Sequence, residues 1–485
     1  MLRTLLTIGA VQFVTMLVML VRIKTLAVSQ GPEFVGAMAV IDKLLAVVAQ
    51  TLSYSLPFAA VRFLPERWKS SPAQYRRLYA SMRNVVLTVI MVASVIGIGI
   101  SVWRPELWGA QLLPYRAAVA AAFVGLPIVA LVPFLQNAVA GRLQQHRAMG
   151  VAFFHAVVLA VSVVGAWRGG LVGYYLTYAG AGTVLVLLVA RAVTNDLPPR
   201  DRTTRTPGPL GLPPAIWRFG GFLFVLSFLA PYAALYVHYS LLRSRGAEAA
   251  GWMQAALGIG LSVRAVLGSS HQVFLTPHVN TGGTPEQRMK WADDFQMLFC
   301  LLVGLAVPPL LLFPDLAVRA LYAPSFAPGA AFVLIFVGSE VINLLGGTYQ
   351  TLVVSFDRMR VHTVNNLVAQ LCVVASAFWL VRPLGILGAG LSALAGPVYL
   401  FFATLVFLHH AYGLRMSRGA LARTVWLVVA LAAAGLLGAT TRETPLQALG
   451  AKAALYLVVV GGFWLLLSDE ERGKARALIA RGRRA

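Results

Sequence analysis

Residues 31–66 read GPEFVGAMAVIDKLLAVVAQTLSYSLPFAAVRFLPE, and a degenerate copy of their first part, GAEAAGWMQAALGIGLSVRAVLGSSHQ, returns 215 positions later. At that offset Gly31, Glu33, Gly36, Met38, Val48, Leu52 and Ser55 fall on Gly246, Glu248, Gly251, Met253, Val263, Leu267 and Ser270. That makes 7 identities over the 28 positions from Gly31 to Phe58, where about two are expected by chance. Further on, Gly170 and Gly173 of GGLVGYYLTYAG fall on Gly385 and Gly388 of GILGAGLSALAG at the same spacing. A chain that repeats at about 215 residues has two halves, and a pathway can lie between them.

Composition sets the solvent. With 59% hydrophobic and 12% charged residues over 485 positions, one soluble core could not hide the apolar surface. The chain reads as an all-α polytopic membrane protein. A net charge of +23 raises the question of nucleic acid. The basic residues, however, punctuate the apolar runs instead of forming one patch with aromatics, which excludes that reading. The two cysteines, Cys300 and Cys372, lie inside apolar runs and suggest neither a disulfide nor a metal site. The first run, 5–21, lacks a cleavage pattern and is kept as a spanning helix.

Punctuation by Gly, Pro and charge gives fourteen spans, near 5–28, 36–61, 82–102, 112–138, 149–167, 171–191, 217–240, 249–279, 291–312, 328–354, 363–381, 385–410, 420–440 and 446–467. These are helices 1 to 14 below. Six helices per repeat is an even number, so both copies enter the membrane in the same direction and form two pseudo-symmetric, parallel six-helix lobes. The lobes are assigned to 1–193 and 215–412, joined by a Pro-rich cytoplasmic linker at 194–214. Helices 13 and 14, within 413–468, have no counterpart. With the basic tail 469–485 they read as an appendage toward the cytoplasmic face. With the N-terminus inside, 27 of the 40 Lys and Arg fall on the cytoplasmic side, 12 opposite, and Arg264 in mid-helix. Both termini are thus expected in the cytoplasm.

An N-terminal helix ending in Arg22, then SQGPEFVGAM, then a polar-spotted helix closing in AAVRFLPE, resembles the bacterial polysaccharide and O-antigen flippases. The GxxG opening at 170–173 and GILGAG at 385–390 are similar to that family's sixth and twelfth helices. The family belongs to the multidrug/oligosaccharidyl-lipid/polysaccharide (MOP) flippase superfamily, with the lipid II flippases and the multidrug extruders. The resemblance implies V-shaped lobes, alternating access in the bacterial inner membrane, and outward passage of an undecaprenyl-pyrophosphate-linked glycan. It also implies a monomer, with membrane lipids, a glycan polymerase and glycosyltransferases as partners. The lipid II flippases carry a basic residue late in helix 1 and another in helix 8, where Arg22 and Arg264 stand here. Residues 1–28 contain no Asp or Glu, unlike the first helix of the multidrug extruders.

Charges at membrane depth are costly unless they face water or a partner, so each is a candidate for the pathway. On helix 8, Arg264, Gly268, His271 and His278 share a stripe, either a cavity wall for pyrophosphate or a structural pairing with an acid. Arg22 and Lys24 on helix 1 either face the cavity or snorkel. Helix 2 places Lys43, Gln50 and Tyr54 on one face, with Asp42 beside Lys43 either neutralising a base or coupling an ion. Helix 7 carries Tyr232, Tyr236 and Tyr239 after Pro231, suited to sugar faces and equally to the membrane interface. Glu340 on helix 10 either takes up H⁺ or Na⁺ or pairs with Arg264. No other cofactor is expected.

No GxxxxGK[ST] loop occurs, so ATP hydrolysis by this chain is not expected, and no large loop offers an enzyme site. The expected function is flipping of a lipid-linked oligosaccharide. The alternatives are a cation-coupled multidrug exporter, a lipid II flippase or, most remotely, a membrane-embedded glycan enzyme.

Overall fold

Glycine punctuation divides the chain in space as it does in sequence. A computed structural model describes residues 2–140, 145–195, 212–270, 275, 279, 283–441, 447–467, 469 and 472–473. Helices 1 and 2 (2–30 and 32–52) are the two parts of Leu2–Leu52 on either side of Gly31. Helix 3 is Pro72–Trp103, and helix 4 occupies 110–140. Helices 5 and 6 (145–168 and 171–195) meet at Gly169 and Gly170, and helices 7 and 8 (214–245 and 247–270) at Gly246. Helices 9 to 14 are Pro285–Leu312, Pro324–Ser355, Met359–Leu384, Ile386–Tyr412, Arg418–Thr440 and Leu449–Leu465. No strand occurs among the described residues.

Local chemistry starts several of these helices. Ser71 accepts from Gln74 N, Thr284 and Gln287 form a capping box, and Ser417 accepts from Ala420 N. Each supplies an acceptor to a backbone donor that has no intrahelical partner. Nine of the described helical stretches are long and apolar enough to cross a membrane; two of these, starting at Val14 and at Arg147, contain the breaks that make each two spans. Residues such as Val95, Leu187 and Leu465 are 67%, 64% and 75% exposed, which is tolerable only against lipid. The protein is a multi-pass, all-α membrane protein: the described residues form fourteen long helices, two related sets of six and a C-terminal pair, with short helices at Leu56–Ser70 and Pro314–Leu321 between them.

The 215-residue repeat is written in the backbone. Gly31 has φ 78°, ψ −177° and Gly246 has φ 85°, ψ 176°. Gly170 has φ 56°, ψ −142° and Gly385 has φ 60°, ψ −127°. These are left-handed φ values that glycine adopts at little cost. The helix approaches repeat too. A Cβ at Gly173 would stand 2.2 Å from the Gly165 carbonyl oxygen, and one at Gly388 would stand 2.0 Å from that of Leu380, again 215 residues on.

Contacts divide the chain into two compact units, Met1–Gly251 with Leu321–Ala323, and Trp252–Ala320 with Pro324–Ala485. In the first, helices 1 and 2 pack on helices 5 and 6. Ile128, Val132, Val151, Val158, Tyr178 and Leu185 form a buried cluster there. Also inside this unit, a Cβ at Gly36 would meet the Ala247 oxygen at 1.9 Å and one at Gly251 the Pro32 oxygen at 2.0 Å. Both pairs are related by 215 positions, so the crossing is reciprocal, as a two-fold contact must be.

In the second unit helices 11 and 12 pack closely, and helix 13 lies along helix 9. Gly438 is what allows the approach: a Cβ there would meet the Leu311 oxygen at 2.0 Å. Helix 14 follows, its Tyr456 hydroxyl donating to Leu305 O at 3.1 Å. The C-terminal pair is therefore packed into the second unit along helix 9. Most of the Pro-rich linker (196–211) and of the basic tail (474–485) lies outside the described residues.

Candidate functional site

Helix 1 brings Arg22 into the first unit, where it is only 7% exposed. Its Nη2 donates to the Tyr174 hydroxyl and lies 3.8 Å from Met38 Sδ, and its Cζ sits 5.5 Å above the Tyr174 ring. One residue along helix 6, the Tyr175 hydroxyl donates to Asp42 Oδ1 at 2.9 Å, with Met38 O at 3.2 Å beside it. A turn further, Tyr178 OH lies 3.2 Å from His155 Nε2. Helix 6 thus presents adjacent phenols to a base from helix 1 and an acid from helix 2. Arg22 Nε is buried with no hydrogen-bond partner among the described residues, which is rare for a charged donor. Lys24 and Lys43 are half-buried nearby in sequence.

The second unit holds its own pair. Arg264 Nη1 lies 3.3 Å from Glu340 Oε2, and the arginine side chain is 52% exposed against 11% for the glutamate. Gly260, one turn before Arg264, allows the approach of helix 10: a Cβ there would lie 2.9 Å from Phe336 O and 3.3 Å from Glu340 Cγ. Glu340 thus lies within ion-pair distance of Arg264. His271 and His278 lie outside the described residues.

On helix 7, Tyr232 is 38% exposed and stacks on Tyr236 with centroids 6.4 Å apart. Tyr239 leaves the stripe and donates to Gln111 Oε1 at 2.6 Å. Among the described residues no group of three His, Cys, Asp or Glu side chains could hold a metal ion.

Two polar groupings escaped the sequence. The tyrosines at 174, 175 and 178 sit in YYLTY, inside a stretch that draws attention for its glycines. The other fastens helix 13 in the second unit. Asp293 on helix 9 accepts from Tyr349 OH at 3.1 Å and from Ser417 N at 3.0 Å. One turn on, Gln296 Nε2 donates to Thr424 Oγ1 at 2.7 Å and Ala420 O at 3.1 Å, next to Arg423, which is 2% exposed.

No family model and no curated sequence matches this one. Solved structures do. The chain is similar to a lipid II flippase, MurJ, in an inward closed conformation, with TM-score 0.64 at 11% identity over 94% of this chain and 98% of that one. It is also similar to an inward-facing multidrug resistance MATE transporter of the MOP superfamily, with TM-score 0.59 at 12% identity over 87% and 95%. A third is the MATE multidrug transporter DinF-BH, with TM-score 0.56 at 16% identity over 84% and 95%. Identities this low speak to the backbone alone, and what they establish is that this chain has the fold shared by the MOP superfamily transporters.

Proposed function

We propose that the protein is a flippase that carries a polyprenyl-pyrophosphate-linked oligosaccharide, a surface-polysaccharide repeat unit, from the cytoplasmic to the outer leaflet of the bacterial inner membrane. Both termini lie in the cytoplasm in this reading, and the two six-helix lobes alternate in access. The observation that carries it is Arg264: a guanidinium at membrane depth, half open to its surroundings, with one oxygen of a mostly buried carboxylate as its acid partner. A cation so placed has donors to offer an incoming anion, and its planar fork matches two pyrophosphate oxygens. Half-buried Lys24 and Lys43 add positive charge in the first unit, where Arg22 is buried against Tyr174 and Asp42 accepts from Tyr175. A pathway richer in bases than acids favours anionic cargo and repels cationic drugs.

In the producing host, Arg264→Ala should abolish surface glycan while the protein still accumulates in the membrane. Unchanged glycan in that strain would refute the proposal. Arg264→Lys, which keeps the charge and loses the fork, should fall between. The multidrug alternative draws on Asp42 and Glu340 as sites for H⁺ or Na⁺. Ethidium extrusion from vesicles that disappears in Asp42→Asn or Glu340→Gln would favour it instead.

A further inference from the structure

Helix 2 ends at Leu52, and the next helix begins at Leu56. Between them Tyr54 and Ser55 have φ 49° and 57°, a left-handed conformation that is an outlier for a bulky aromatic residue. Such strain persists where the surroundings demand it, and it gathers at functional sites. What it achieves here is to swing the Tyr54 ring onto helix 7. The ring stacks on Phe224 at 5.3 Å and 29° and leans on Trp217 at 5.4 Å. Gly220 and Gly221 make its seat, since a Cβ at either would stand 2.9 Å or 2.8 Å from Tyr54 atoms.

From that ring a ladder climbs helix 7. Phe224 to Phe228, Phe228 to Tyr232 and Tyr232 to Tyr236 are 6.3, 5.5 and 6.4 Å apart with interplanar angles of 11°, 25° and 26°. The four-residue spacing keeps these rings on one slowly turning face. It is not a core stack: the core stack of Tyr75, Tyr79 and Phe134 is at most 1% exposed, whereas every ring of the ladder is half-buried or exposed. Exposed rings occur elsewhere too, as at Phe378, Trp379 and Phe402, but Phe378 meets Trp379 edge-on at 88° and Phe402 meets Phe401 at 77°, so neither pair has the near-parallel stacking of the ladder. The sequence places Tyr54 on one helical face with Lys43 and Gln50, but helix 2 ends at Leu52 and the left-handed turn takes Tyr54 off that face. Lys43 is half-buried and Gln50 exposed on the helix before it, and beyond Tyr236 the helix 7 face continues through Ser240 to exposed Arg243. Near the lower end, the Arg62 guanidinium lies 5.0 Å over Phe219.

We propose that Tyr54, Phe224, Phe228, Tyr232 and Tyr236 form a stacking track for the sugar rings of the cargo. Aromatic faces pair with the C–H faces of pyranose rings, and the phenols at 54, 232 and 236 supply hydrogen bonds to hydroxyls. Basic residues near either end suit the anionic linkage of the same molecule. The track rests on the glycan-flippase reading and assigns the saccharide portion of the substrate to it.

The test uses full-length protein in nanodiscs of phosphatidylethanolamine and phosphatidylglycerol, with two probes: undecaprenyl pyrophosphate, and the same lipid bearing a tetrasaccharide. In Phe224→Leu/Phe228→Leu/Tyr232→Leu, leucine keeps the helix and an oily surface but removes the ring faces. Binding of the glycosylated probe should weaken about tenfold or more, and binding of the bare probe less than about twofold. Equal weakening of both probes, or of neither, overturns the track while leaving the flippase reading intact. Wild-type protein that binds neither probe sinks the reading and the track together. Tyr232→Leu alone, at a position 38% exposed, decides the matter if the triple variant does not fold; the same selectivity at a smaller ratio is then expected.

Discussion

Tyr174 and Tyr175 are neighbours in sequence, yet they serve opposite charges, one receiving a hydrogen bond from Arg22 and the other giving one to Asp42. A buried guanidinium whose acceptor is removed keeps its desolvation cost without compensation. Tyr174→Phe should therefore destabilise the protein by about 1–3 kcal/mol, seen as a lower thermal unfolding midpoint in detergent. Arg264 makes the contrast. It is half exposed in its ion pair, so Glu340→Gln and the double variant Arg264→Gln/Glu340→Gln, which leave no mostly buried carboxylate without its partner, should each change folding stability by less than about 1 kcal/mol. A large loss of stability in either would make that pair structural. Arg22, Asp42, Arg264 and Glu340 are legible in the sequence because a charge inside an apolar run has few explanations. Tyr174 is not: tyrosine is at home in many membrane settings, and its partner stands 152 residues away.

At the scale of the helix, two kinds of glycine can be told apart by substitution. Gly31 has φ 78° with ψ −177°, a region essentially confined to glycine, and an added side-chain carbon would find no atom within 4 Å, so Gly31→Ala meets only that backbone cost, about 1–3 kcal/mol. At Gly251 the added carbon would press on backbone at Pro32 O, so Gly251→Ala must move a helix and should cost about 1–3 kcal/mol or more by overpacking. The same reciprocal geometry makes Gly36→Ala and Gly251→Ala act alike. A double variant no worse than either single one, in unfolding midpoint, would show that they relieve one shared contact. The number and order of the helices are readable because glycine breaks and apolar runs alternate so regularly. Their lengths are not. Hydropathy places helix 3 at 82–102 where it runs Pro72–Trp103, and helix 9 at 291–312 where it runs Pro285–Leu312. Caps at Ser71 and Thr284 carry each helix past its apolar segment, where hydropathy gives no signal.

Over the whole molecule the repeat governs backbone and not chemistry. Shifting by 215 positions takes Arg22 and Asp42 to Val237 and Leu257, and takes Arg264 and Glu340 back to Ala49 and Gly125. Each repeat therefore holds a base and an acid where the other is apolar or small, so one backbone pattern carries two different sets of side chains. Helices 13 and 14 extend the asymmetry, because only the second repeat is followed by such a pair. Their fastening is polar: half-buried Asp293 holds the start of helix 13, buried Gln296 bonds its first turns, and Lys452 of helix 14 lies 2% exposed with Nζ 4.5 Å over the Phe313 ring. A chain stopped after Gly413 would leave Gln296, and Gly304 that seats the Phe463 ring, facing hydrocarbon, where an unpaired polar group costs several kcal/mol. Such a truncation should fail to accumulate in membranes, whereas Asp293→Asn, which keeps an acceptor for Ser417 N and Tyr349 OH, should accumulate with a lowered unfolding midpoint. Membrane levels of an N-terminally tagged truncation, compared with those of the full chain, decide this. Equal levels and equal melting would mean that the pair is a passenger on the second unit and not part of its core.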